Sequence, residues 1–268
     1  MSPSIAVAAT APFGADVLER LAATHEVVCV LTRPDARAGR GRKLAPSAAK
    51  LAAERLGLPV LEPERLEPGL DLGASVVVAV AYGLIVPDAV LDERLWLNVH
   101  PSLLPRWRGA APVERALMAG DSETGVSIIK LVKELDAGPI AAQRSFPVEA
   151  EDDAGAVFVR SAEVAADLLD RVLPEPEPTF REQKGEPTYA AKITPADRRL
   201  DLDRPALELV DHVRALSPHI GARADLHGRA VTIWKARVGE DGRFEPVEVQ
   251  PDGGRRMTYD AWLRGLRP

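Results

Sequence analysis

Cysteine is nearly absent from this 268-residue sequence, in which Cys29 is the only one. A single cysteine excludes an intramolecular disulfide and a cysteine-rich zinc site, and we expect the protein to hold no metal. Cys29 lies within the apolar run Val-Val-Cys-Val-Leu of residues 27–31. A thiol in such a run is typically buried in a strand, so the pattern indicates a packing role rather than a reactive one.

Long hydrophobic runs are also lacking. No stretch approaches the roughly 18 apolar residues that a membrane-spanning helix requires. The first residues do not join a basic segment to a long apolar one, as a secretion signal would. We therefore expect a protein of the cytoplasm with no membrane partner.

Positive charge is not in excess, since the chain carries 34 Lys and Arg against 40 Asp and Glu, a net charge of −6. This balance argues against a protein that binds nucleic acid through its overall charge. It leaves room for a local basic patch, and the sequence has one at residues 33–43.

Short apolar strands alternate with amphipathic helices over the first 100 residues. The pattern predicts strands over 4–10, 26–32, 74–81 and 95–100, and helices over 13–24 and 47–56. The 74–81 strand is apolar on both faces, which is typical of the centre of a parallel sheet. The alternation therefore predicts an α/β fold with a doubly wound, mostly parallel sheet.

The composition changes after a long amphipathic helix predicted over residues 154–173. Residues 174–178 alternate Pro and Glu, as an extended connector does. Beyond residue 221 the pattern is one of short strands broken by Gly and Asp. We expect a catalytic domain over residues 1–182, a linker over 183–203 and a small β-rich domain over 204–268.

Polar side chains at the end of the 95–100 strand are the first candidates for chemistry. Asn98 and His100 are two residues apart, so in a strand they lie on the same face. They stand at the carboxyl end, where open α/β sheets place their sites. The alternative is that both hydrogen-bond to the strand-end backbone.

Asp136 is the third candidate, in a Leu-Asp-Ala-Gly turn after a later strand. Alone it is typical of a turn former. Together, an amide, an imidazole and a carboxylate suit acyl transfer to an amine, because the first two stabilise an oxyanion and the carboxylate accepts a proton. No serine or cysteine lies in a nucleophile-elbow setting, so no covalent intermediate is required.

These residues stand within longer motifs that together resemble a known family. Asn98-Val-His100 continues into Pro-Ser-Leu-Leu-Pro-Arg-Trp-Arg-Gly-Ala-Ala-Pro112, and Leu-Asp-Ala-Gly138 follows. Further stretches are Tyr-Gly-Leu-Ile-Val-Pro87, Gln-Lys-Gly-Glu-Pro-Thr-Tyr-Ala190 and Val-Thr-Ile-Trp-Lys-Ala236. The chain resembles the formyltransferases that use 10-formyltetrahydrofolate, and within them the methionyl-tRNA formyltransferases.

The resemblance implies roles for individual residues. The catalytic Asn, His and Asp of the family fall on Asn98, His100 and Asp136. The segments that contact the folate donor fall on Tyr82, Leu84, Ile85, Val86, Ser102, Leu103, Leu104 and Pro105. The implied fold is a doubly wound domain followed by a small barrel of the oligonucleotide-binding type.

The basic loop acquires a role only through this resemblance. Without it, a charge run is typical of a solvated face, and no G-x-G-x-x-G follows the first strand to suggest a dinucleotide site. With it, the loop is expected to contact the acceptor arm of initiator methionyl-tRNA, since Arg suits phosphate contacts and base stacking. The cations concerned are Arg33, Arg37, Arg40, Arg42 and Lys43.

One departure concerns the second domain. The family has more strands between the segments that match residues 231–238 and 247–257, whereas only residues 239–245 join them in this chain. The domain is therefore expected to be shortened. The sequence does not decide whether it closes as a barrel or contacts tRNA.

The resemblance implies transfer of a formyl group to methionyl-tRNA by a protein expected to be a monomer. Three alternatives stay open from the sequence. They are a formyltransferase for an amino sugar on a nucleotide, a hydrolase that releases formate from the same donor, and a non-catalytic tRNA-binding relative.

Overall fold

The protein is described here by a computed structural model that covers residues 3–38 and 43–266. Its contacts divide the chain into two compact units. The first comprises the described residues of Met1–Arg108 with Gly125–Ser145 and Val159–Thr188, and the second comprises Gly109–Thr124, Phe146–Phe158 and the described residues of Tyr189–Pro268. Within residues 3–38 and 43–266, no helix has the length and apolar character needed to cross a membrane.

The described chain forms strands and helices in an alternating order. The strands are β1 Ile5–Ala9, β2 Val27–Leu31, β3 Ala36–Ala38, β4 Lys43–Ala45, β5 Val60–Leu61, β6 Val76–Val80, β7 Leu95–His100, β8 Arg108–Gly109, β9 Glu123–Lys130, β10 Ile140–Pro147, β11 Tyr189–Ala190, β12 Ala222–Leu226, β13 Arg229–Val238, β14 Phe244–Pro251 and β15 Met257–Thr258. The helices are α1 Pro12–Thr24, α2 Ala48–Arg55, α3 Asp88–Leu91, α4 Pro112–Met118, α5 Ala154–Val172, α6 Ala206–Leu216 and α7 Tyr259–Arg264.

A seven-stranded sheet of order β10-β9-β7-β6-β1-β2-β5 organises the first unit. The β1 strand pairs in parallel with β2 and β6, and the pairs β2–β5 and β6–β7 are also parallel. The β9 strand runs antiparallel to β7. The predicted α/β fold with a mostly parallel sheet is confirmed, and β7 lies where the parallel part meets the antiparallel part.

Burial explains why these segments become strands and helices. All five residues of β1 are buried, as are Val77 to Val80 of β6, because helices cover both faces of a parallel sheet. The α2 helix begins after Ser47, whose Oγ accepts a hydrogen bond from the Lys50 backbone N–H at 3.0 Å. The boundaries of the long predicted elements are confirmed to within about two residues.

The second unit contains a four-stranded antiparallel sheet of order β12-β13-β14-β15. Its core joins α6 and α7 to the inner face of the sheet through Val213, Leu216, Val231, Ile233 and Trp262. In the part of the chain that the structure describes, β12 and β15 are the two ends of this row of strands. The predicted β-rich C-terminal domain is confirmed, and its sheet is an open one.

Several short elements escape the sequence patterns. They are the β3–β4 hairpin inside the basic loop, and β12, α3, β15 and α7. Each has six residues or fewer. Short strands such as β1 and β6 are revealed by a continuous apolar run, which these segments lack, and they are too short to show hydrophobic periodicity instead.

Candidate active site

The β7 strand presents Asn98 and His100 on one face at its carboxyl end. Asn98 is opposite Ala79 of β6 and Ile129 of β9, and His100 is opposite Ser127 of β9. Strands on both sides therefore fix the backbone of Asn98, and β9 fixes that of His100. The His100 side chain is 5% exposed, so its ring is held within the protein.

Asp136 reaches the same place from the turn that follows β9. Its Oδ1 accepts a hydrogen bond from Asn98 Nδ2 at 3.4 Å, and its Oδ2 lies 3.7 Å from His100 Nδ1. Its side chain is 9% exposed. The structure thus brings together all three residues that the sequence singled out for catalysis.

The turn that carries Asp136 has an unusual backbone. Asp136 has a φ of 48°, in the left-handed region that L residues other than Asn and Asp seldom occupy. Two residues later, a Cβ on Gly138 would lie only 1.7 Å from the carbonyl oxygen of Lys130. Only glycine allows this turn to fold back against the end of β9, and that approach sets the direction of the Asp136 carboxylate.

The His100 ring is held from its other side by the loop that follows β7. Its Nε2 lies 2.8 Å from the carbonyl oxygen of Trp107, a residue with a φ of 65°. A carbonyl oxygen can only accept, so Nε2 carries the proton in this contact. In the neutral ring the lone pair is therefore on Nδ1, which faces Asp136.

Residues Ser102 to Pro105 form a second ordered segment after β7. Ser127 Oγ donates to the Ser102 carbonyl at 2.7 Å and accepts from the Leu104 backbone N–H at 3.1 Å. Gln143 Nε2 donates to Ser127 Oγ at 2.8 Å and to the Leu104 carbonyl at 3.0 Å. Ser102 and Leu104 are buried, whereas Leu103 and Pro105 are half-buried.

Ser127 and Gln143 hold a segment of the candidate site in place, and sequence reasoning missed both. Ser127 interrupts the apolar run of β9 and is fully buried. A lone hydroxyl in a buried strand is the one signal that could have identified it, because buried polar groups have partners.

The segment that follows β6 contains the other candidate residues for folate binding. Tyr82 buries its ring in the core beside Cys29, Val77 and Trp96. Its hydroxyl oxygen has no hydrogen-bond partner among the described residues, and burial raises its pKa to about 12. The Tyr82 side chain is therefore part of the core, and its carbonyl accepts from Thr10 Oγ1 at 2.7 Å.

The next three residues present mainly backbone. Leu84 and Val86 pack against the same core, while the Ile85 side chain is 90% exposed. The backbone N–H and C=O groups of all three make no hydrogen bond with any described residue. A short stretch of free donors and acceptors thus lies after β6, next to the strand that carries Asn98 and His100.

The basic loop lies at the same edge of the sheet, after β2. The Arg33 side chain lies beside Gly83 in the segment after β6. A Cβ placed on Gly83 would be 3.7 Å from the Cδ of Arg33. Arg37 and Lys43 are exposed on the two strands of the β3–β4 hairpin. Arg40 and Arg42, the other two cations expected to contact tRNA, lie outside the described residues.

One acidic residue of this loop is neutralised locally. Lys50 Nζ lies 2.9 Å from Asp35 Oδ1 and 2.9 Å from Glu62 Oε2. Within residues 3–38 and 43–266, no group of three His, Cys, Asp or Glu side chains could hold a metal ion.

Comparison with known proteins identifies the family. The sequence profile of the family described as formyl transferase matches residues 4–173, and that of its C-terminal domain matches residues 192–246. The methionyl-tRNA formyltransferase of Paracoccus denitrificans (strain Pd 1222) is 41% identical over 284 residues, covering 96% of this chain and 95% of that protein.

Solved structures share the fold at low sequence identity. Methionyl-tRNA formyltransferase from Clostridium thermocellum has a TM-score of 0.64 and 15% identity, covering 92% of this chain and 98% of that one. The N-formyltransferase from Helicobacter canadensis, in complex with folinic acid and dTDP-3-aminofucose, has a TM-score of 0.66 and 16% identity over 88% of each chain. With most of the chain matched by the profile, the protein belongs to the formyl transferase family.

Proposed function

We propose that this protein transfers the formyl group of 10-formyltetrahydrofolate to the α-amino group of methionine on initiator methionyl-tRNA. The observation that carries the proposal is the convergence of Asn98, His100 and Asp136 at the end of β7. The 41% identity to a methionyl-tRNA formyltransferase over nearly the whole chain supports this acceptor.

The residues after β6 suit a folate donor. A pterin ring has an edge of alternating N–H and C=O groups, and the unpaired backbone of Leu84, Ile85 and Val86 offers the complementary groups. We assign the segment from Ser102 to Pro105 to the rest of the donor, with the half-buried Leu103 and Pro105 as the side chains that reach it and the buried Ser102 and Leu104 as its support. When bound, 10-formyltetrahydrofolate supplies an electrophilic formyl carbon.

Asn98 and His100 stabilise the negative charge that develops on the formyl oxygen as the amine attacks. A side-chain amide has two N–H donors, and the contact with Asp136 uses one of them. Because Nε2 is engaged by Trp107, Nδ1 is the ring nitrogen that faces the reacting groups, and it donates to the oxyanion once it carries a proton. Donors fixed by a strand before the reaction begins need no reorganisation, which is what makes such stabilisation effective.

Asp136 accepts the proton that the attacking amine loses, directly or through a water molecule. Its carboxylate lies beside both donors, so it also stabilises positive charge on the His100 ring. The attack itself forms the bond between the amine and the formyl carbon. The C=O bond then re-forms as the bond from the formyl carbon to N10 breaks, and N10 takes up the proton that Asp136 accepted from the amine, directly or through water. Asn98 and His100 thus stabilise the negative charge on the formyl oxygen, and Asp136 takes up the proton that the amine loses.

The basic loop carries the acceptor part of the proposal. Arg33, Arg37 and Lys43 are exposed cations at the sheet edge that holds the donor segment, and Arg40 and Arg42 add two more charges in the sequence. An acceptor with phosphates is favoured there.

We further propose that the protein acts as a monomer in the cytoplasm, because one chain supplies all three catalytic side chains. These side chains belong to a proposed catalytic domain of residues 1–182. A linker over 183–203 joins it to a second domain over 204–268.

The same site could serve a nucleotide-linked amino sugar or a water molecule as acceptor. The Helicobacter canadensis neighbour shares only the fold at its 16% identity, so it does not favour the sugar. A small acceptor has no need of the five cations in the basic loop of residues 33–43, which is the observation that favours tRNA.

Product analysis with the purified protein tests the proposal. The protein is incubated with the formyl donor alone, with methionyl-tRNA, and with a nucleotide-linked amino sugar. Formyl-methionyl-tRNA is the expected product. Formate in the absence of acceptor would indicate a hydrolase, a formylated sugar would indicate the other transferase, and no product would indicate a tRNA-binding relative.

A further inference from the structure

Residues 183–188 lie between the two stretches that the family profiles match, and the sequence alone places them at the start of a linker. In the structure they are held against the active-site loops. Just before them, Arg181 pairs with Ile140 at the start of β10, through backbone bonds of 2.7 and 3.0 Å. This pairing aligns the segment with the turn that carries Asp136.

Gln183 fastens that turn. Its Nε2 donates to the carbonyl oxygens of Asp136 at 2.7 Å and Gly138 at 2.9 Å. Its Oε1 accepts from the Arg108 guanidinium, with distances of 3.1 Å to Nε and 2.6 Å to Nη2. Both the nitrogen and the oxygen of the Gln183 amide are thus hydrogen-bonded. These bonds hold Asp136 in its left-handed backbone conformation, which few residues adopt.

Thr188 fastens the loop on the other side of His100. Its Oγ1 accepts from the backbone N–H of Trp107 at 2.9 Å. Its own N–H donates to the Pro105 carbonyl at 3.2 Å, and its carbonyl accepts from the Arg108 N–H at 2.8 Å. The peptide units around Trp107 are therefore fixed, and with them the carbonyl that receives the proton of His100 Nε2.

We propose that the 183–188 segment is a positioning element of the active site, in which Gln183 orients Asp136 and Thr188 orients His100 through the Trp107 carbonyl. The inference rests on the proposed function, since it assigns these two residues to the same reaction. Neither side chain touches the reacting atoms. Gln183 keeps the strained backbone of Asp136 in the conformation that directs its carboxylate into the site. Thr188 does the same for the strained backbone of Trp107, whose carbonyl orients the His100 ring.

The first test compares two substitutions at one position. Thr188→Val keeps the shape of the side chain and removes the acceptor, whereas Thr188→Ser keeps the hydroxyl. We expect Thr188→Val to lower kcat about tenfold, which corresponds to about 1.4 kcal/mol in the barrier, with KM for both substrates unchanged. Thr188→Ser should restore most of kcat. Equal kcat in Val and Ser variants would overturn the role of Thr188.

The second test needs no activity. Long-range proton–nitrogen NMR correlations report which ring nitrogen of a histidine carries the proton, and the spectrum of His100→Ala identifies the His100 signals among the five histidines. The wild type should show a proton on Nε2. In Thr188→Val the His100 signals should shift toward a mixture of tautomers, and unchanged signals would overturn the link from Thr188 to His100.

The third test concerns Gln183. Gln183→Met removes all four hydrogen bonds at similar size, and Glu186→Met at an exposed position of the same segment is the matched control. Gln183→Met should lose about tenfold or more in kcat at unchanged KM, because Asp136 is no longer aimed. The control should keep wild-type kcat. If both variants fall equally, or neither falls, Gln183 has no positioning role.

Failure of the inference is distinct from failure of the proposed function. If the wild type forms no formyl-methionyl-tRNA, the function is wrong, and the NMR comparison still decides whether Thr188 sets the His100 tautomer. If the wild type is active and the Thr188→Val and Gln183→Met variants match it, the function stands and the positioning role is overturned.

Discussion

His100 donates its Nε2 proton to the carbonyl oxygen of Trp107 at 2.8 Å. That contact leaves Nδ1 facing the carboxylate of Asp136, 3.7 Å away. The backbone carbonyl of Trp107 thus sets the orientation and the tautomer of His100. The carboxylate that faces His100, that of Asp136, comes from a separate turn after β9.

Removal of the imidazole is the first prediction. His100→Ala should lower kcat about 10²- to 10³-fold with little change in KM, because a donor to a developing oxyanion acts mainly in the transition state. Steady-state kinetics on methionyl-tRNA measure this, with the exposed His219→Ala as the matched control. An unchanged kcat in His100→Ala would remove His100 from the mechanism.

Replacement of the carboxylate is the second prediction. Asp136→Asn keeps the size of the side chain but can neither accept the amine proton nor balance charge on the imidazole. We expect a loss in kcat of at least about 10²-fold. The exposed Asp92→Asn serves as control. Near-normal turnover in Asp136→Asn would leave Asp136 with no role beyond forming its turn.

The third prediction concerns salt. If Arg37 and Lys43 contact tRNA phosphates, log K should fall with log salt by roughly 0.7–0.9 for each contact. Replacing both with Ala should weaken tRNA binding and flatten the slope by about one to two units, while folate binding stays unchanged. A salt titration of tRNA binding measures the slope.

Arg65→Ala provides the control for that titration, since Arg65 is an exposed cation outside residues 33–43 that pairs with Glu67. Parallel slopes and equal affinities for wild type and the double variant would mean that the hairpin is only a solvated face. The amino-sugar acceptor would then be favoured.

The fourth prediction concerns stability and pH. Burial raises the pKa of Tyr82 from 10.0 to about 12, so the folded state holds the phenol proton more tightly than the unfolded state does. The wild type therefore keeps its full stability below pH 10 and loses stability as the pH rises from 10 through 12, because the unfolded state releases the phenol proton first. The upper limit of this loss is about 3 kcal/mol.

Tyr82→Phe tests this, because it removes a buried hydroxyl that has no partner among the described residues. At pH 8 the variant should be as stable as the wild type or up to about 1 kcal/mol more stable. At pH 11 its advantage should grow. Urea unfolding at both pH values measures the difference, and a variant clearly less stable at pH 8 would show that the hydroxyl is bonded.

Much of this architecture is predictable from sequence because it depends on local pattern. The apolar runs of β1 and β6 identify a parallel sheet, and the spacing of Asn98 and His100 places both side chains on one face. Asp136 follows β9, which runs antiparallel to β7, so the end of β9 lies opposite Leu97 rather than His100. Its turn folds back at Gly138 to reach Asn98 and His100, and the sequence links Asp136 to them through the family resemblance rather than through periodicity.

The supporting contacts are not predictable in the same way. Gln183 and Thr188 bind the backbone of residues 47 and 81 positions earlier in the chain. Backbone carbonyls and N–H groups are present at every residue, so no sequence pattern marks the ones that receive such bonds. Tyr82 illustrates a related limit, because the family resemblance places it among the residues that contact the folate donor while its ring is buried in the core.

A competition between acceptors tests the proposed function most directly. The wild-type protein receives labelled 10-formyltetrahydrofolate with equal concentrations of methionyl-tRNA and a nucleotide-linked amino sugar, and the label is followed in each product. We predict that the label passes to the α-amine of methionyl-tRNA, with one equivalent of tetrahydrofolate released for each formyl group. Label found mainly in the sugar or in formate would contradict the assignment of the acceptor.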